Sequence, residues 1–140
     1  MINFKIIQNH IKKKLKEKKM KVTNQKPEFE VIKNDGYSTV NLKGTFTRNE
    51  KENEELRAVF HKLAKEGEKK ILLSFADVAY IDSSFVGIVL SCNSIIRNSG
   101  GKLVIFNTPE YIQYIIKIAN LSTVMDVCET EAQALEVLKV

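Results

Sequence analysis

Between Ile71 and Asn98 the chain switches from a short apolar run to a longer apolar stripe, and that switch constrains the fold more than any other stretch. Ile71-Leu72-Leu73-Ser74-Phe75 reads as a buried strand, closed by the turn-like Ala76-Asp77. A helix is predicted to begin near Asp82, because Asp82 and Ser83 carry short side-chain oxygens that accept from the unpaired N–H groups of a first turn. Val86, Val89, Leu90 and Ile96 then mark an apolar face at helical spacing, and Gly87, Ser91 and Ser94 are small enough to bring the helix close to a sheet. Asn98-Ser99-Gly100-Gly101 ends it.

Two hydroxyls, those of Ser83 and Ser84, therefore stand at the positive end of a helix beside the Asp82 carboxylate. A phosphate there would be tolerated by the helix dipole and the free N–H groups. It would also add about two negative charges to a surface that already carries Asp82. The simpler reading of the same residues is a capped helix and nothing more.

The flanking chain supplies a complete α/β pattern. Phe29-Glu30-Val31-Ile32-Lys33 alternates as a strand, Asn34-Asp35-Gly36 signals a hairpin, and Tyr37 to Leu42 gives the second strand, ended by Gly44-Thr45-Phe46-Thr47. From Arg48 to Glu66 a helix is predicted, with Leu56, Val59, Phe60 and Leu63 inward and Glu50, Glu52, Glu54 and Glu55 on a solvated face near its start. Lys102 to Phe106 is a further strand, Pro109 to Asn120 a helix burying Ile112, Ile115, Ile116 and Ala119, Val124 to Val127 a short last strand, and Thr130 the cap of a closing helix. The order implies a mixed sheet of about five strands with a hairpin edge, right-handed crossovers and helices mainly on one face.

Apolar residues make up 44% of the 140, which suits one soluble domain with one core. No apolar run approaches the length of a membrane span, and the charged N-terminus lacks the apolar centre of a secretory signal. Cys92 and Cys128 are read as buried free thiols of a cytoplasmic protein, and with His10 and His61 isolated neither a metal nor a cofactor is expected. Charge divides the chain at residue 26. Residues 1–26 hold nine lysines and one glutamate, a balance of +8, whereas residues 27–140 carry 13 basic and 16 acidic side chains, a balance of −3. Direct DNA binding by the domain is therefore not expected. Phe4, Ile7, Ile11 and Leu15 share a helical stripe in the lysine-rich extension, which suits an anionic membrane surface or an acidic partner as well as a solvated tail. Thr23 to Pro27 reads as a linker.

Val78-Ala79-Tyr80-Ile81-Asp82-Ser83-Ser84-Phe85-Val86-Gly87, followed by Ser99-Gly100-Gly101-Lys102-Leu103-Val104-Ile105, resembles the STAS domain of anti-sigma factor antagonists. The resemblance covers Glu28 to Val140 and implies the same fold. It also implies phosphorylation at Ser83, an anti-sigma factor that doubles as the serine kinase and binds the unphosphorylated form, a serine phosphatase that resets the switch, and regulation of transcription. Asp82, Ser83, Ser84, Phe85 and Thr47 become the expected partner surface. Phe85 stands where the signature has glycine, and is read either as packing over the sheet end or as an apolar anchor for the partner. Thr47 stands where many antagonists have an aspartate. A non-phosphorylated STAS adaptor of a membrane transporter or sensory assembly is the alternative function. Enzymatic activity is not expected: no G-x-S-x-G, P-loop or dinucleotide glycine pattern occurs, and nothing places His61 or His10 beside Ser83.

Overall fold

Alternation of apolar and polar residues produces the first two strands, β1 (Glu28–Lys33) and β2 (Ser38–Phe46), which pair antiparallel with Lys33 opposite Ser38. Asn34 to Tyr37 closes this hairpin through an Asn34 N–H to Tyr37 carbonyl bond of 2.8 Å, with Gly36 at φ +87° in the left-handed region that glycine adopts freely. The computed structural model describes residues 25–140. After the hairpin come α1 (Glu50–Lys65), β3 (Lys70–Ile81), α2 (Ser83–Asn98), β4 (Lys102–Phe106), α3 (Glu110–Ile118), a 3-10 turn (Leu121–Thr123), β5 (Asp126–Val127) and α4 (Glu131–Leu138). The strands lie in chain order, β1-β2-β3-β4-β5, and every pairing after the hairpin is parallel.

One face of the sheet holds most of the core. Val40, Leu42, Phe46, Ile71, Leu73 and Ile105 pack there against Leu56 and Phe60 of α1, Val86 and Val89 of α2, and Ile112 and Ile115 of α3. On the other face α4 sets Ala134 and Leu138 over Leu72, Val104 and Phe106. Three of the four described helices thus share one face, as the sequence pattern implies.

Several local expectations are corrected. Ala76-Asp77 does not end the central strand. β3 continues to Ile81, and register shifts against β2 between Asn41 and Lys43 and between Gly44 and Thr45 absorb the exposed Ala76 and Asp77 as irregularities. β2 likewise runs through Gly44 and Thr45 to Phe46. Gly87 and Ser94 are exposed rather than pressed against the sheet, and the inward positions belong to Phe85, Cys92 and Asn93 instead. Cys128 is only half-buried, unlike Cys92.

The two glycines after α2 do different work. Gly100, at φ +86°, lets the chain reverse so that the Gly100 N–H reaches the Arg97 carbonyl and the Gly101 N–H the Ile96 carbonyl, both at 2.9 Å. At Gly101 a β-carbon would come within 2.9 Å of both Ile96 Cγ2 and the Lys69 carbonyl, so only glycine lets β4 start this close to β3.

Candidate functional site

β3 delivers the chain to Asp82, which is extended at φ −117° and caps α2: its Oδ1 accepts from the Phe85 N–H at 3.1 Å. The same oxygen accepts from the Ser84 hydroxyl at 2.5 Å, so one carboxylate fixes both the backbone and a side chain of the first turn. The Asp82 N–H in turn donates to the Phe46 carbonyl at 3.2 Å, tying the cap to the end of β2. Ser83 is the first helical residue. Asp82, Ser83 and Ser84 are all half-buried at the surface.

Phe85 is not part of that surface. It is 0% exposed, with its ring centroid 4.6 Å from that of Phe46 and 6.5 Å from that of Phe75, the latter edge-on. Of the two roles its sequence position suggested, the structure assigns packing, and an anchoring contact with a partner is corrected. The reason lies in the helix geometry: three residues past the cap, the side chain projects back over the sheet end, where Phe46 and Phe75 complete an aromatic cluster.

Thr47 follows directly on the end of β2 and so lies beside Asp82. Its carbonyl accepts from Asn53 Nδ2 at 2.9 Å, while Asn49 Nδ2 reaches the Thr45 carbonyl at 3.3 Å. These bonds hold the loop between β2 and α1 against α1. Sequence reasoning passed over Asn53, which is only 5% exposed. The signal was present, because residues 53, 56, 60 and 63 recur at helical spacing and place a polar amide on an otherwise apolar stripe. A shallow groove of about 330 Å³ opens between the starts of α1 and α2, lined by Arg48, Glu50, Asn53, Glu54, Ser84 and Ile88. Arg48 and Ile88 thereby join the neighbourhood of Ser84.

His61 is exposed on α1, and His10 and the stripe of Phe4, Ile7, Ile11 and Leu15 lie outside the described residues. Burial pushes the Cys92 thiol up to about 12 against the opposing pull of the Arg57 guanidinium, which keeps it protonated and unreactive at neutral pH. Among the described residues no cluster of His, Cys, Asp and Glu could hold a metal ion, and no helix is long and apolar enough to cross a membrane.

A capped helix start carrying two serines at the end of a central parallel strand, in a five-stranded sheet of this topology, defines a class. The STAS domain family matches residues 3–134, and the chain belongs to it. Within that family, a Thermotoga neapolitana protein provisionally named an anti-sigma factor antagonist is 30% identical over 78 residues, spanning 56% of this chain and 69% of that protein. The fold is shared with the crystal structure of a Thermotoga maritima protein of the same provisional name, with a TM-score of 0.67 and 24% identity over 80% of this chain and 95% of that one. It is shared also with the phosphorylated form of the Bacillus cell-fate determinant SpoIIAA, with a TM-score of 0.61 and 20% identity over 79% and 98% of the two chains.

Proposed function

We propose that this chain is an anti-sigma factor antagonist, a binding module rather than an enzyme, whose surface at Asp82, Ser83 and Ser84 is switched by phosphorylation of Ser83. The observation that carries this reading is the separation of roles at the start of α2: Phe85 turns wholly inward, while Asp82, Ser83 and Ser84 remain at the surface. The bulky residue that replaces the signature glycine therefore does not itself stand at the surface beside Ser83. A phosphate on Ser83 would meet the first-turn N–H groups of α2, so the helix would tolerate it. It would also crowd a second anionic group against the Asp82 carboxylate and reverse what the surface offers a partner. In this reading the unmodified form binds an anti-sigma factor that is also the serine kinase, and a phosphatase restores binding. SpoIIAA, which has been solved both phosphorylated and unphosphorylated, lends this reading support at the level of fold.

Peptide mass spectrometry of the chain purified from its own cells, before and after phosphatase treatment, tests the switch. Phosphate at Ser83 that phosphatase removes is the expected result, with Ser83→Asp releasing a partner that Ser83→Ala retains. Absence of phosphate under every growth and stress condition would overturn it, leaving an unmodified docking surface of the adaptor kind.

A further inference from the structure

β5 joins β4 over only two residues, with Val104 opposite Asp126 and Ile105 opposite Val127. The Lys102 N–H is spent on the Lys69 carbonyl at 2.7 Å, on the β3 side, so the alternation of a strand turns the Leu103 N–H to the β5 side. Ile105, two residues on, faces that side as well, since its carbonyl accepts from the Cys128 N–H at 2.8 Å. One step earlier in this ladder, the acceptor for the Leu103 N–H would be the Val124 carbonyl. That carbonyl is engaged from α2 instead, by Asn93 Nδ2 at 3.4 Å, and the Leu103 N–H has no acceptor among the described residues.

Where the ladder stops, a cavity of about 300 Å³ opens between the last turns of α2, the start of β4 and residues 122–126. Asn93, only 5% exposed, and Arg97 one turn later both line it, on one face of the helix. Arg97 is the only charged residue of α2, is exposed, and makes no hydrogen bond or ion pair through its side chain with the described residues. Asp126 also lines the cavity, but its Oδ2 is held by the Lys102 ammonium at 3.1 Å. That pair is neutral, so Arg97 leaves the cavity positive within a stretch, residues 27–140, whose charges balance to −3. Val124, on the same lining, is one of three large apolar residues left exposed among the described residues.

An unpaired backbone N–H and a free guanidinium on one cavity are the donors that an oxyanion requires. The volume lies at the small end of ligand sites. We propose that this cavity binds a small hydroxylated organic anion, its carboxylate or phosphate group taken by the Arg97 guanidinium and the Leu103 N–H, its hydroxyl by the Asp126 carboxylate, and its carbon skeleton laid on Val124. The site stands near the opposite end of α2 from Ser83 and does not depend on any phosphorylation there.

Amide spectra of the full chain, titrated at constant ionic strength with malate, ribose 5-phosphate and inorganic phosphate, test the site. The expected result is a saturable downfield shift of the Leu103 amide with malate or ribose 5-phosphate, accompanied by Ser122 and Val124. Whichever of the two binds more tightly identifies the anionic group as carboxylate or phosphate. Arg97→Gln, a change at an exposed position, should weaken that binding by about tenfold through loss of a charge-assisted contact, while Ser83→Ala leaves it unchanged. No saturable shift at Leu103 with either organic anion, inorganic phosphate binding as tightly as both, or an unchanged affinity in Arg97→Gln would each overturn the proposal.

Discussion

At the scale of single residues, Phe85 links the chemistry of the site to the stability of the domain. The aromatic ring that replaces glycine packs on Phe46 and Phe75 beneath the helix start, so the turn at Asp82, Ser83 and Ser84 is supported from below. Phe85→Ala is expected to destabilise the domain by about 3–5 kcal/mol, whereas Phe85→Leu, which preserves more of the volume, should cost under about 1.5 kcal/mol. Urea unfolding monitored by circular dichroism measures both. Cys92 gives a pH dependence of definite sign. Its thiol is raised from 9.0 to about 12 in the folded state, so the stabilisation from keeping it neutral is complete below pH 9 and is lost as pH rises from there toward 12. Burial also raises Tyr111, from an ordinary value of 10.0, so its contribution is lost in the same direction at higher pH. Urea midpoints taken across the alkaline range should fall less steeply for Cys92→Ala than for the unaltered chain. The burial of Cys92 was legible in its apolar surroundings, whereas the direction of Phe85 was not: a phenylalanine after two serines can face either way, and only the closing of Phe46 and Phe75 around it decides the matter.

At the scale of elements, α2 depends on Asp82 more than on either serine for its start. Asp82→Ala removes the acceptor for both the Phe85 N–H and the Ser84 hydroxyl and is expected to cost about 1 kcal/mol, with Asp82→Asn costing less because an amide oxygen still caps. Thermal unfolding of the two variants checks the order. A loss for Asp82→Asn as large as for Asp82→Ala would mean that the charge, rather than the acceptor, holds the turn. The helix and its end signals were legible because capping and left-handed glycine are local chemistry, carried by Asp82 and Gly100 themselves. The extent of β3 was not. Ala76-Asp77 resembles a turn when read alone, and what keeps it in the strand is pairing of Asp77 with Lys43 and of Val78 with Gly44, contacts far away in sequence. α3 is joined to the same stretch by the Tyr111 hydroxyl, which donates to the Val78 carbonyl at 2.7 Å in a buried setting. Gly87 shows the converse error: a small residue on a helix suggests close packing, yet nothing lies within 4 Å of where its β-carbon would be.

At the scale of the whole molecule, charge and topology were read from the sequence with different success. The division between a basic extension and a weakly acidic domain needed only counting, but the bond from the Thr45 N–H to the Gln25 carbonyl is a backbone pairing that no side-chain pattern announces. The gathering of helices mainly on one face was read from the order of strands and helices, and α4 on the other face completes the fold through Leu72, Val104 and Phe106. The strand order β1-β2-β3-β4-β5 bears on how the chain is made as well as on how it rests. As it emerges from the ribosome, each strand after the first finds its neighbour already laid down, and none has to wedge between two others. Assembly can therefore proceed by addition at one growing side, with the corner that bears Asp82 set once β3 has joined β2, and α4 sealing the back of the sheet after β5.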